Sequence, residues 1–177
     1  MHKELKGWIE WLGIDDPVLH PLQGDASNRR YYRLESSEIK GIVMDASDIK
    51  ESVPVFIGVG WRLMDAKVRI PAIRSYELHK GFIFLEDIGS THLFDKLQTG
   101  NVISYYEQAI KTLVQMQETP SKGLVPYDRD FLLEEMNLMP QWYIKEHLDK
   151  TLECLEGRIL LESFNLICKE VLSQPQG

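Results

Sequence analysis

The sequence predicts an α+β fold in which an antiparallel sheet carrying one helix is followed by a run of helices. Two observations predict it. In the first half, short runs rich in β-branched and aromatic residues, such as RYYRLE (30–35), GIVMDA (41–46) and FIFL (82–85), alternate with turn residues. After Gly89, apolar residues recur at helical spacing instead. Runs of strands followed by runs of helices imply an α+β arrangement or two lobes. The join is LEDIG (85–89), which divides a β-rich lobe, 1–88, from a helical part, 89–177.

Each element follows from local pattern. Residues 3–12 read as a helix with Leu5, Trp8, Ile9 and Leu12 on one face, stopped by Gly13. Trp8 and Trp11 both read as packing residues. Pro17 to Leu22 read as an edge strand, because Pro21 has no N–H for a central one. Residues 30–35 and 41–46 form a hairpin through Ser36, Ser37, Glu38 and Lys40. Residues 53–66 carry Val53, Phe56, Ile57, Trp61 and Met64 on a helical face that Gly58 and Gly60 weaken. Residues 72–78 and 81–87 form a second hairpin turned at Lys80-Gly81. The apolar run Phe82 to Leu85 predicts a strand buried on both faces.

In the helical half, Thr91 is a cap candidate for 92–98, and Gly100 ends that helix. Asn101 is the cap for 102–118, with Ile103, Tyr106, Ile110, Leu113, Val114 and Gln117 in register. Asp128 caps 129–147, with a break expected at Pro140. Residues 157–173 place Leu160, Phe164, Ile167 and Val171 on one stripe.

Composition narrows function. The chain has 177 residues, 44% of them hydrophobic and 27% charged, with net charge -7. That is the balance of a soluble globular protein with a sizeable core. An acidic chain is not a dedicated nucleic-acid binder. No apolar run reaches the roughly 18 residues of a membrane span, and Glu4 and Glu10 interrupt the N-terminus of any signal peptide. Cys154 and Cys168 show neither metal-ligand spacing nor a disulfide framework, which fits a reducing cytoplasm. No metal site is expected.

Against this acidic background, GDASNRRYYRL (24–34) stands apart, with Arg29, Arg30 and Arg33 inside five residues. Gly24, Asp25, Ala26 and Ser27 make a turn of small residues whose backbone N–H groups can approach an anion, and the arginines add fixed positive charge. The same residues also read as a plain hairpin turn in which Asp25 makes an Asx-turn. At least one of the arginines reads as a solvated residue or as a partner of Glu35 or Asp45. Glu134-Glu135 and Asp128-Arg129-Asp130 read as helix N-terminal acids, since adjacent helical residues point about 100° apart. Trp142 and Tyr143 read either as helix packing or as faces on which a sugar ring stacks.

GDASNRRYYRL (24–34), IVMDAS (42–47), FIFLEDIG (82–89) and FLLEEMNLMPQWY (131–143) resemble, in order, the motifs of the aminoglycoside-phosphotransferase-like family. Within it they are most similar to the bacterial branch of amino-sugar kinases acting on N-acetylmuramate and N-acetylglucosamine. The resemblance implies a protein-kinase-like N-lobe and the first helices of an incomplete C-lobe. Gly24, Asp25, Ala26 and Ser27 then correspond to the phosphate-covering turn. Glu86, Asp87 and Ile88 correspond to the linker whose backbone meets adenine, with the Ile88 N–H as donor. Ile42, Met44, Phe84 and Leu85 become candidate walls for the base, and ATP with Mg²⁺ the implied cofactors.

Two departures matter. The third strand reads IVMD, without the lysine that grips phosphates in most kinase-like folds, so the resemblance leaves that contact to Arg30 or Arg33. The acceptor-positioning pattern HxDxxxxN is missing as well. His147-Leu-Asp149 has the first part, but Cys154 stands where the Asn belongs, on a helical rather than a loop segment. The expectation is therefore an N-terminal piece of an amino-sugar kinase, with metal ligands and base outside 1–177, inactive alone. Alternatives are a non-catalytic nucleotide-binding or interaction module complete at Gly177, self-associating through an exposed helical face, and an aminoglycoside kinase.

Overall fold

Period-two alternation decides how the first half packs. The computed structural model describes residues 3–24, 27–97 and 100–174. Strands β1 (Val18–Pro21), β2 (Arg30–Glu35), β3 (Lys40–Asp45), β4 (Ile73–Glu77) and β5 (Phe82–Leu85) form one antiparallel sheet in the order β1-β2-β3-β5-β4. β1 is an edge strand, the place where Pro21 is tolerated. β5 is interior and all four of its residues are buried, as the apolar run predicts.

Helices cover both faces of this sheet. Helix α1 (Lys3–Trp11) sets Leu5, Trp8 and Ile9 against Leu34, Val43, Phe82 and Phe84. Helix α2 (Val53–Asp65), reached through a 3₁₀ segment, Ser47–Ser52, sets Val53 and Ile57 against Met44, Ile83 and Leu85 on the opposite face. Tyr31, Ile42, Phe56 and Ile73 extend this second cluster.

Several expectations are corrected. Trp11 is 78% exposed, because two residues past Ile9 the helix points it away from the side that Leu5 and Ile9 bury. Trp61 and Met64 are exposed, and the buried side of α2 runs through Val53, Ile57 and Gly60 instead. Gly60 lies on that side because a Cβ there would sit 3.1 Å from the Ile73 side chain. Thr91 does not cap helix α3 (Leu93–Leu97). The turn is closed by His92, whose carbonyl accepts from the Asp95 N–H and whose N–H donates to Asp95 Oδ2 at 3.3 Å.

Helix α4 (Val102–Gln117) has its Asn101 cap, with Ser104 N–H donating to Asn101 Oδ1. Its stripe of Ile103, Tyr106, Ile110 and Leu113 is exposed. Gln115 Nε2 donates to the Ala66 carbonyl at 3.0 Å, tying α4 to the end of α2.

The chain forms two compact units, dividing after Thr119. Residues 89–119 thus fall in the first unit, and a folding boundary at 88/89 stays a proposal. In the second unit, Asp128 caps helix α5 (Arg129–Leu138), accepting from the Phe131 N–H at 3.0 Å. Pro140 has no N–H for the α-ladder, and residues Met139–His147 continue as a π-helix, with Leu148 N–H reaching the Tyr143 carbonyl. Helix α6 (Cys154–Leu172) begins before the expected residue 157, because Glu153 and Glu156 form a capping box. Its buried residues are Phe164 and Cys168, so Cys168 rather than the exposed Ile167 completes the stripe. Arg129 Nη2 donates to Asn165 Oδ1 at 2.6 Å and pins α5 to α6. Among the described residues no helix is long and apolar enough to cross a membrane.

Candidate functional site

Strand register sorts the arginines. Arg33 pairs with Ile42, and Ile42 with Leu85; Tyr31 pairs with Met44, and Met44 with Ile83. These residues share the face under α2. Arg30 pairs with Asp45 and belongs with Tyr32, Leu34 and Phe82 on the face under α1. Arg30 and Arg33 therefore cannot serve one ligand, a consequence of the strand's alternation. Phe84 is likewise turned toward α1 and cannot wall a pocket with Ile42 and Leu85.

Arg30 is engaged where it stands. Its Nη2 donates to Asp48 Oδ2 at 2.9 Å, and its Nε lies 3.5 Å from Asp45 Oδ2. That second approach is an ion-pair distance without hydrogen-bond geometry, so Oδ2 of the buried Asp45 keeps no hydrogen bond among the described residues. Asp45 Oδ1 accepts from the Ser47 N–H.

Arg33 clasps the linker. Its Nε and Nη2 donate to Asp87 Oδ2 and Oδ1 at 2.7 and 3.3 Å, with the two side chains 25% and 19% exposed. Asp87 Oδ1 also accepts the Gly89 N–H at 2.8 Å. One carboxylate thus joins the sheet to the chain leaving β5. The hydrogen bond from Arg33, then that from Gly89, holds the Asp87 carboxyl below its usual range, and the same pairing raises Arg33.

A lowered carboxyl contributes its stabilisation fully above the ordinary value of about 3.9 and loses it as pH falls through the depressed folded value. Asp87→Asn is therefore expected to raise amide exchange at Gly89 at neutral pH and to lower the unfolding midpoint slightly. In the wild-type protein the same Gly89 signal loosens only in strong acid. Unchanged Gly89 exchange in Asp87→Asn would show that the clasp does not hold the linker.

The remaining linker residues divide. Glu86 is occupied, its Oε1 taking Arg69 Nη2 at 3.2 Å and its Oε2 the Ala72 N–H at 3.1 Å. Ile88 is 69% exposed and makes no hydrogen bond among the described residues, so its backbone is available to a ligand. Met44 is fully buried and forms floor beneath the surface that Tyr31 and Ile42 present.

At the other end of this face, Leu22 N–H bonds the Tyr31 carbonyl and closes the β1–β2 connection. Gly24 and Ser27 are exposed, and open space surrounds the Gly24 Cα. Ser27 Oγ accepts the Arg29 N–H at 3.2 Å. Asp25 and Ala26 lie outside the described residues.

Under α2 lies a cavity of about 430 Å³, lined by Phe56, Val59 and Leu63, by Ile73 and Leu85, and by Arg29. Arg29, which the choice between Arg30 and Arg33 left aside, is a charged residue of this lining. The signal was there: odd numbering sets it with Tyr31 and Arg33 rather than with Arg30.

In the second unit, Trp142 is 60% exposed. Tyr143 stacks on His147, ring centroids 5.6 Å apart, and lines a concavity of about 710 Å³ with Ile144, Leu148 and Leu152. Trp142 does not line it. Neighbouring helical residues diverge, so the pair does not form one aromatic platform.

A five-stranded antiparallel sheet in this order, with one helix between β3 and β4 and a linker leaving β5, is the N-lobe of a kinase-like phosphotransferase. The chain belongs to the phosphotransferase enzyme family, whose profile matches residues 18–167. It is similar to the N-acetylmuramate/N-acetylglucosamine kinase of Pseudomonas aeruginosa, 33% identical over 175 residues, covering 97% of this chain and 50% of that protein. The protein of the same name from Pseudomonas putida is 28% identical over 167 residues, covering 94% of this chain and 49% of the relative. That from Neisseria meningitidis serogroup B is 30% identical over 180 residues, covering 98% and 53%. The chain spans about half the length of the curated relatives it matches.

Proposed function

We propose that these residues form the nucleotide-binding lobe and first acceptor-side helices of an ATP-dependent amino-sugar kinase of the cytoplasm. The observation that carries this reading is the face under α2. It runs from Arg29, past Tyr31 and Ile42, to a linker held in place by Arg33 and Asp87 with the Ile88 backbone left open. Apolar surface and an open backbone donor suit a purine ring, and the Arg29 guanidinium at the edge of that surface suits an anionic tail. The residues present therefore fit a nucleoside triphosphate.

In this reading the Ile88 N–H holds the base edge and Leu85 and Ile42 wall it, above a floor set by Met44. The backbone at Gly24 and Ser27 covers the phosphates. Glu86 and Asp87 act through the linker, fixing its path. When bound with Mg²⁺, ATP supplies the transferable phosphoryl group. Tyr143 and its concavity are the acceptor-side candidate, and Trp142 a flanking one. Transfer of this kind rests on positioning and charge neutralisation, and residues 1–177 contain no HxDxxxxN.

Calorimetric titration tests the reading. ATP and adenosine are expected to bind weakly, with little dependence on Mg²⁺. No phosphoryl transfer to N-acetylglucosamine or N-acetylmuramate is expected from 1–177, whereas a chain continuing through HxDxxxxN turns over. Failure of both ATP and adenosine to bind would end the proposal, and transfer by 1–177 alone would end its second half.

A further inference from the structure

We propose that Arg29 is the cation that meets the phosphate tail of the nucleotide, in place of a strand lysine. This rests on the nucleotide-lobe reading above and adds a residue to it. The argument is a comparison of three guanidinium groups within five residues. Each carries five N–H donors that must find acceptors when taken from water. Arg30 has Asp45 and Asp48, on the face under α1. Arg33 has both oxygens of Asp87. Both are neutralised by carboxylates that structural work already uses.

Arg29 has no carboxylate partner among the described residues. Its Nη2 makes one long hydrogen bond, 3.4 Å, to Ser52 Oγ, and its guanidinium lies over the Phe56 ring, 5.4 Å from the centroid. Its Nε is buried without any acceptor. An orphaned donor on a charged group is costly, of the order that a lost charge-assisted hydrogen bond carries. An anion at Nη1 would balance the charge that no described carboxylate meets.

Position points the same way. Arg29 lines the cavity under α2, beside Leu85 and Phe56, and its N–H donates to Ser27 Oγ two residues earlier. The Phe56 ring and Ser52 hydroxyl hold the guanidinium plane in one orientation, and Nη1 makes no hydrogen bond among the described residues. A planar fork held this way meets phosphate oxygens in pairs and cannot lose its charge. Met44, the charge-free and buried residue of β3, offers no competing cation.

The test is titration of wild-type, Arg29→Gln, Arg29→Lys and Arg30→Gln chains with ATP and with adenosine. Arg29→Gln is expected to weaken ATP about tenfold or more, as loss of a charge-assisted phosphate contact does, and to leave adenosine unchanged. Arg29→Lys recovers part of the ATP affinity, and Arg30→Gln changes neither ligand. Adenosine binding by Arg29→Gln doubles as proof that the variant is folded. Equal ATP affinity in wild type and Arg29→Gln overturns the assignment while leaving the lobe reading intact. Equal loss for ATP and adenosine also overturns it, since Arg29 would then be supporting Phe56 and the base. Should wild type bind neither ligand, the lobe reading itself fails.

Discussion

Phe82→Ala is expected to remove about 3–5 kcal/mol of stability, as truncation of a buried aromatic does. Phe82 is 1% exposed and sits in β5, where β3 and β4 flank it on either side. Its ring lies 5.6 Å from that of Trp8, tilted by 41°, and shares a cluster with Leu5, Leu34 and Val43. Truncation opens a void between α1 and the sheet. The hole cannot collapse easily, because two strands and a helix, each fixed by other contacts, bound it. Total stabilities of domains are about 5–15 kcal/mol, so the variant is expected near the edge of folding. Urea unfolding reads the effect as a lower midpoint with an unchanged slope. Trp11→Ala, at an exposed position on the same helix, is expected within about 0.5 kcal/mol of wild type. If Phe82→Ala loses less than about 1 kcal/mol, α1 does not cap this face.

The same strand shows what was legible beforehand. Four successive apolar residues bounded by Gly81 and Glu86 announce a strand covered on both sides, and β5 is one. The hairpins at 30–45 and 73–85 were equally legible, because turn residues and alternation coincide there. Caps written in side chains, Asn101 and Asp128, could be read directly. What could not be read is which residues two elements jointly bury. Trp11 and Trp61 are large and apolar but miss the contact stripe by part of a turn, while Gly60 lies on it because Ile73 needs the room.

The site divides along similar lines. That the arginine cluster and the segment after β5 carry the charged contacts of this face could be anticipated from residue type and order, and Arg33 does meet Asp87. The partner of each arginine could not, since Arg33–Asp87 spans 54 positions and depends on where β5 ends. Alternation along β2 could have separated Arg30 from Arg33, and the face that matters is fixed by α2 alone. The role proposed for Arg29 is only half legible: its odd numbering puts it with Arg33, but having no carboxylate partner among the described residues is a property of the folded surroundings.

Gly81→Ala is expected to cost about 3 kcal/mol or more, in two separable parts. Gly81 has φ of 79°, in the left-handed region, where a Cβ adds roughly 1–2 kcal/mol. The same Cβ would lie 2.8 Å from the Ala46 carbonyl oxygen, 2.9 Å from its carbon and 3.0 Å from Lys50 Cβ. Those backbone atoms cannot give way cheaply, because the Ala46 N–H donates to the Gly81 carbonyl at 2.8 Å and the Gly81 N–H to the Glu77 carbonyl at 2.9 Å. The β4–β5 turn is thus locked onto the exit of β3, which leads through Ser47–Ser52 into α2. Two other glycines isolate the terms. Gly13 has φ of 76° with nothing within 4 Å of its Cβ position, so Gly13→Ala carries the conformational part alone. Gly58 is helical with open space around it, so Gly58→Ala is expected to gain up to about 1 kcal/mol. Denaturation midpoints should therefore fall in the order Gly58→Ala, wild type, Gly13→Ala, Gly81→Ala. Equal losses at Gly13 and Gly81 would mean that the turn and the β3 exit are not in contact. The α2 face would then lose one of the supports that hold its helix over the sheet.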